Sequence, residues 1–429
     1  MKVDMGKKIL MLCYYFPPLL DVGCKRSVAF AKYLKRHGWN PIVLSVKNPD
    51  RNYCLLGREK PPVGVPTTYT KSLFNLSWIV GKINGFLFKI YKLFGISFKR
   101  NYIYELFIIP DIFMGWIPGA ILSGYNLNRK YNVDYIYVSC TPYSSAIAGI
   151  ALKKMTGKKL IIDFRDPMEI GLENISRRSN FRRKILLIIE KKIIDYSDIF
   201  IVNTEEVRHS YINKYPEIEY KTFTIYNGFD HELSPVEKRS KFPKFTIVYS
   251  GNMYFEVNQS KAFFEALAIL KERKIINKHI FQFLYFGQNS NLINEIALEL
   301  SITDLISARS TIPHKKMLSI ISGSHLQLLR IIKPMISTKL FEGIAMNIPF
   351  LATIPGGEAE SIIRKYSPSS HIITEESSEL ISKTILKVIK DYENGLIVDN
   401  YISQFIYKFS RENMTRKLEQ IIEQKCTVN

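Results

Sequence analysis

Residues 8–46 read KILMLCYYFPPLLDVGCKRSVAFAKYLKRHGWNPIVLSV, and their order decides the fold class. Lys8 to Tyr15 is a short unbroken apolar run, the pattern of a buried strand. Phe16 to Gly23 is a Pro/Gly loop. A helix is expected from about Lys25 to His37, with Gly38 in the position that follows a helix end. Pro41 to Val46 supplies the next strand. A strand apolar throughout, then a helix, then another strand implies a parallel sheet covered on both faces. Lys7-Lys8 before Ile9 to Phe16 imitates a signal peptide, but the run is short and ends in Pro17-Pro18, so a first buried strand is expected.

The same alternation continues outward. Strands are expected at Asp134 to Ser139, Lys159 to Phe164, Asp198 to Val202 and Thr222 to Tyr226. Helices are expected at Ser144 to Met155, closed by Gly157, and at Thr204 to Lys214. Residues 231–244 are polar and Pro-containing, the best linker in the chain. Beyond it, strands fit Phe245 to Tyr249, Phe281 to Phe286, Leu326 to Ile331 and Phe350 to Ile354, with helices between. Glu379 to Tyr392 and Glu412 to Gln424 read as terminal helices. The chain has 429 residues, beyond the size at which one core keeps growing. Two successive α/β halves follow. Residues 1–235 form an N-terminal Rossmann-like domain and 236–400 a C-terminal one. Residues 401–429 supply a helix expected to pack back on the first.

Hydrophobic residues make up 46% and charged residues 23%, which is globular rather than disordered. The formal net charge of +21 points to a polyanionic partner, with nucleic acid, an anionic membrane surface and phosphorylated substrates all open. Cys13, Cys24, Cys54, Cys140 and Cys426 form no C-x-x-C pair and no Cys/His cluster of metal spacing. They read as reduced thiols of a cytosolic protein. No metal or other cofactor is expected.

Residues 60–104 are an insertion of different character. They hold Lys60, Lys71, Lys82, Lys89, Lys92, Lys99 and Arg100 among large apolar residues, and no Asp or Glu. Leu76 to Phe98 is the best candidate for a spanning helix, but three of the lysines interrupt it. The composition fits an interfacial basic amphipathic segment. The competing reading is a core helical pair with snorkelling lysines.

Three loops follow the C-terminal ends of expected strands, where open α/β sheets bind ligands. The first runs from Tyr15 through Gly23 to Arg26, and Gly23 would let backbone approach a phosphate at a helix N-terminus. An ordinary turn is equally compatible, and the loop is not G-x-G-x-x-G. The second is Asp163-Phe164-Arg165-Asp166-Pro167, whose charges after an apolar strand must be paired or used. The third is Ser337-Thr338-Lys339-Leu340-Phe341-Glu342. A Lys in a first helical turn opposes the helix dipole, which is understandable if it faces a diphosphate. Glu342 lies one turn on, placed either to accept from a ribose or to pair with Lys339. Ser250-Gly251-Asn252, Phe286-Gly287-Gln288, Ile312-Pro313-His314 and Gly356-Gly357 sit at similar positions.

YYFPPLLDVGCKRSVAFAKYLKRHGW, PDIFMGW at Pro110 to Trp116, DFRDP, IVNTEE at Ile201 to Glu206, IYNGFD at Ile225 to Asp230, YSGN at Tyr249 to Asn252 and STKLFEGIAMNIP at Ser337 to Pro349 follow in that order. This series resembles the retaining GT-B glycosyltransferases of family four, of the bacterial surface-polysaccharide type with a DFRDPW-like motif. The resemblance implies two Rossmann-like domains facing across a cleft. Gly251 and Asn252 would approach the donor phosphates, Lys339 neutralise them and Glu342 bind the ribose, with Leu340 beside them. Gly23, with Arg26, would close over the diphosphate from the first domain. Asp166 and Arg165 would be catalytic, Asp166 near the acceptor or the transferring sugar. It also implies a lipid-linked saccharide acceptor at the inner membrane face. Three departures stand out. Asn252 replaces an Arg common in the wider family, Pro334 replaces the first glutamate of a Glu-x7-Glu pair, and Met168 ends DFRDPM.

With no acidic metal-binding cluster in the sequence, the leaving diphosphate is expected to be stabilised by Lys339, helix N-termini and backbone donors. A sugar-nucleotide epimerase on the same fold and a catalytically silent membrane-bound protein are the alternatives. Nucleic-acid binding is disfavoured, because the densest basic tract is interleaved with large aliphatics and no nucleic-acid module is recognisable.

Overall fold

A computed structural model describes residues 6–19, 23–47, 60–74, 76–93, 108–172, 178–233, 240–253, 261–331 and 336–426. The chain divides into two compact units, Met1–Tyr226 with Thr415–Asn429, and Asn227–Met414.

In the first unit, β1 (Lys8–Leu12), α1 (Cys24–Arg36), β2 (Asn40–Val46) and β3 (Thr67–Thr70) are followed by α2 (Leu76–Leu93) and α3 (Ile117–Tyr131). Then come β4 (Tyr135–Cys140), α4 (Ser144–Thr156), β5 (Lys159–Phe164), α5 (Asn180–Tyr196), β6 (Ile199–Val202), α6 (Glu205–Lys214) and β7 (Thr222–Thr224). Among the described residues the strands form one parallel sheet in the order β3-β2-β1-β4-β5-β6-β7. Leu10 lies between Ile42 and Ile136, and all three are buried, as the apolar runs require. Gly38, at φ +87°, ends α1 in the left-handed conformation that glycine adopts without a Cβ penalty.

The second unit repeats the scheme. It contains β8 (Phe245–Ser250), α7 (Ala262–Glu272), β9 (Phe281–Phe286), α8 (Ser290–Glu299), β10 (Ile306–Arg309), α9 (His314–Gly323) and β11 (Leu326–Arg330). α10 (Thr338–Ala345), β12 (Phe350–Thr353), α11 (Glu358–Tyr366), β13 (His371–Ile373), α12 (Ser378–Glu393) and α13 (Ile402–Phe409) follow. The sheet order is β10-β9-β8-β11-β12-β13, all parallel. The last helix, α14 (Arg411–Cys426), begins in the second unit, and from Thr415 on it belongs to the first. There His37 Nδ1 lies 2.7 Å from Glu419 and Lys7 Nζ donates to Glu423 at 2.6 Å.

Both strand orders reverse direction beside their first strand, at β1/β4 and at β8/β11. That switch point is where a doubly wound sheet opens a crevice beyond its strand ends. Several elements were not expected from the sequence: β3, β10 and β13, which are short and sit at sheet edges, and the helices α3, α5 and α13. Within the basic insertion the structure places an edge strand and α2. Among the described residues no helix is long and apolar enough to cross a membrane.

Candidate functional site

In the second unit the switch point falls between β8, which ends at Ser250, and β11, which ends at Arg330. Gly251 follows β8 at φ +91°, and a Cβ there would stand 3.1 Å from Lys339 Cε. Its neighbour across the sheet, Gly287, has no room for a side chain, since a Cβ would collide with Gly251 O and the Tyr285 hydroxyl. The two loops are joined by a reciprocal pair. Asn252 Nδ2 donates to Gln288 Oε1 at 3.1 Å, and the Gln288 N–H donates to Asn252 Oδ1 at 3.2 Å. Asn252, standing where the resemblance expects an Arg, therefore ties one glycine loop to the next.

Ser337 caps α10, its hydroxyl accepting from the Lys339 N–H at 3.3 Å. The Lys339 side chain runs toward Gly251. Its Nζ donates to the Tyr249 hydroxyl at 3.1 Å and lies 4.3 Å from the centre of that ring. Among the described residues no carboxylate pairs with this half-buried ammonium. The Lys339–Glu342 helix pair, one of the two readings open for Glu342, does not form as a salt bridge. Glu342 instead meets His314, with Oε1 2.9 Å from Nε2. Burial lowers the Lys339 pKa from 10.5 to about 8, with the Glu342 charge acting in the opposite sense. An ammonium whose desolvation outweighs the attraction of the nearby Glu342 charge is poised for an anionic ligand.

The first turn of α10 holds no acid, whereas α11, after Gly356-Gly357, starts with Glu358 and Glu360. A helix start repels anions when acids occupy it, and of these two only the start of α10 is clear of them. Leu340 does not fit the donor-contact role expected for it. It is fully buried, and its N–H is taken by Ser337 O at 3.1 Å. Sequence reasoning gave no role to Tyr249 and Gln288. It also missed the Arg330–Glu376 pair, a fork of 2.6 and 2.9 Å that ties the end of β11 to the segment after β13.

The charged residues of the first unit separate into distinct roles. Asp163, at the end of β5, is fully buried. Arg26 reaches it with two bonds of 2.8 Å and gives two more to Ile225 O and Tyr226 O, while Tyr137 donates to the same carboxylate. Four of the roughly five donors of a guanidinium are thus consumed internally, so Arg26 is a structural clamp rather than the donor ligand expected. Arg165 is also largely buried. It donates to Gly23 O and Thr141 O and stacks over Tyr15, 5.8 Å from its ring. It fastens three loops at the strand ends, Gly23 among them at the start of α1. Of Arg26, Asp163, Arg165 and Asp166, only Asp166 is exposed. Among the described residues its carboxylate takes no hydrogen bond, although its own carbonyl accepts from the Tyr143 hydroxyl at 2.9 Å. A carboxylate standing out of a pinned loop at a strand end is available to a hydroxyl substrate.

Among the described residues no group of three or more His, Cys, Asp or Glu side chains is placed to hold a metal ion. Cys13, Cys24 and Cys140 are buried thiols outside any disulfide. Burial pushes the Cys13 thiol up to about 12, which makes it inert.

Residues 99–233 match the family model described as Glycosyltransferase Family 4. No curated protein matches the chain. Among solved structures it is similar to a glycosyltransferase from Rickettsia africae, at 16% identity and TM-score 0.62, covering 99% of this chain and 100% of that one. It is similar to Anabaena HepE in complex with UDP-glucose, at 11% identity and TM-score 0.62, covering 97% and 99%. A UDP-N-acetylglucosamine 2-epimerase matches at 11% identity and TM-score 0.53, covering 98% and 97%. The fold is GT-B. Identities this low establish architecture alone, and that architecture hosts transfer and epimerisation alike.

Proposed function

We propose that the chain is a retaining glycosyltransferase. It takes a sugar from a nucleoside-diphosphate sugar held by the second unit. The acceptor is the hydroxyl of a lipid-linked saccharide, in cell-surface polysaccharide synthesis. The observation that carries this reading is Lys339, a half-buried ammonium that among the described residues pairs with no carboxylate, beside Gly251 at the switch point. Lys339 and the positive end of the α10 dipole neutralise the diphosphate as it leaves, so no metal is required. Glu342, oriented by His314, accepts from the ribose. Asp166, in the first unit, orients the acceptor hydroxyl.

Calorimetric titration with UDP, GDP and a short oligonucleotide tests the reading. One nucleoside diphosphate is expected to bind with unit stoichiometry, and the oligonucleotide not at all. Glu342→Ala should weaken that binding by about 1.5–3 kcal/mol, the loss of hydrogen bonds to a charged group. A folded Glu342→Ala protein with unchanged affinity would remove the ribose assignment. An epimerase would convert the donor sugar without releasing diphosphate, which separates the second reading.

The acceptor class places the enzyme at the inner face of the plasma membrane, and α2 is the proposed docking element. Trp78, Lys82, Phe86, Ile90 and Leu93 recur at helical spacing on one face. Trp78 is 66% exposed, Phe86 65% and Leu93 82%. Lys82 lies 5.7 Å from the Trp78 ring centre. Each Lys near an anionic surface contributes about 1 kcal/mol, screened by salt. Wild type should sediment with phosphatidylglycerol vesicles and not with phosphatidylcholine ones. A variant with Lys82, Lys89 and Lys92 changed to Glu should stay in solution. Equal partitioning of the two proteins would remove the membrane role.

A further inference from the structure

We propose that Glu190, buried within α5, is a positioning residue: its carboxylate grips the backbone that follows Asp166 and so fixes where the Asp166 side chain stands. The inference rests on the acceptor-side reading of Asp166. The geometry is a cradle. Glu190 Oε1 accepts the N–H groups of Met168 and Glu169, each at 3.2 Å, and Oε2 accepts that of Ile170 at 3.3 Å. The Tyr211 hydroxyl donates to the same carboxylate. Just upstream, Asn203 Nδ2 donates to Arg165 O at 2.6 Å and Tyr143 donates to Asp166 O. Asp166 is therefore the exposed member of a segment held on both sides. Three consecutive N–H groups aimed at one carboxylate favour its ionised form, because a protonated oxygen cannot accept the same set.

Burial opposes ionisation and raises Glu190 from 4.5 to about 7, with the bonds from Tyr211, Ile170 and Met168 offsetting part of the rise. The groups around it are Tyr143 at the start of α4, Tyr211 and Lys214 from α6, and Tyr215 just beyond α6. Glu169 is engaged with Arg178 and lies 4.0 Å from Arg183. All three tyrosines are held above their usual range, and Glu169 is already paired. Glu190 is thus the member of this set placed to change charge near neutral pH. Above about pH 7 the cradle is closed; below it the grip loosens.

Amide hydrogen exchange on the intact protein reads this directly. After correction for intrinsic exchange, protection of the amides at 168–170 should be about tenfold or more greater at pH 8 than at pH 6. Glu190→Gln should abolish that dependence and leave protection low throughout. Tyr211→Phe removes a bond that favours the charged form, so its midpoint should move to higher pH. With UDP-glucose as the donor probe, Glu190→Gln should lower kcat for UDP release by about 10- to 100-fold and leave KM near wild type. A merely structural role would lower the melting temperature without any pH step, and a flat exchange profile in wild type or an unmoved midpoint in Tyr211→Phe overturns the proposal. If Glu190→Gln does not fold, the Tyr211→Phe midpoint decides. If Asp166→Asn suppresses UDP release and Glu190→Gln does not, the positioning role is lost while the Asp166 reading stands. If Asp166→Asn has no effect, the Asp166 reading fails and the exchange result still reports on the cradle.

Discussion

Lys339→Ala is expected to weaken nucleoside diphosphate binding by about 10- to 100-fold while changing affinity for the matching nucleoside little. The ammonium meets only Tyr249 among the described residues, and burial has already lowered its pKa to about 8. A bound diphosphate supplies a direct counter-charge and raises that pKa again. Binding therefore favours the protonated form. Affinity should be level below about pH 8 and fall as pH rises through and beyond it, by up to about tenfold per unit until the bound-state pKa is reached. Lys339→Arg keeps its charge and should remove the fall. Calorimetry across pH 6.5 to 9.5 checks both parts. Equal losses for nucleoside and diphosphate would make Lys339 a structural residue, and the same fall in Lys339→Arg would place the titration elsewhere.

Asp166→Asn should reduce sugar transfer by about 100-fold or more, the scale of a lost acid–base or hydroxyl-orienting group. Its stability should stay within about 0.5 kcal/mol of wild type, because Asp166 is exposed. Asp163→Asn, three positions earlier, should behave oppositely. It leaves Arg26 buried without its counter-charge, a change that costs about 3–5 kcal/mol. Measuring melting temperature and rate for both variants separates the roles. Normal turnover in Asp166→Asn would remove it from the mechanism. A wild-type melting temperature in Asp163→Asn would contradict the buried clamp.

That contrast shows where sequence reading ran out. DFRDP announced charges at a strand end, but not which one faced water. Asp163 and Arg26 are 137 positions apart, and only the sheet brings them together. Arg26 therefore looked like part of a phosphate loop. Glu190 was hidden differently: it stands in FRRKILLIIEKK, where no element was expected and a lone Glu among basic residues signals no burial, yet it lies fully buried. The central strands were legible because burial on both faces leaves unbroken apolar runs, as in KILML and KLIIDF. β3 (TTYT) and β10 (ISAR) lie at sheet edges and stay partly exposed, so neither an apolar run nor a clean alternation marks them. Lys339 was singled out for a local reason, a cation in the first turn of a helix, where it opposes the dipole.

Incubation with a panel of nucleoside-diphosphate sugars and membrane lipid extract, followed by separation of nucleotides and lipids, tests the central claim most directly. The account predicts that one donor releases its nucleoside diphosphate with its sugar recovered on lipid, and that this transfer is lost in Lys339→Ala and in Asp166→Asn. Donor isomerised without diphosphate release, or transfer undiminished in both variants, would contradict it.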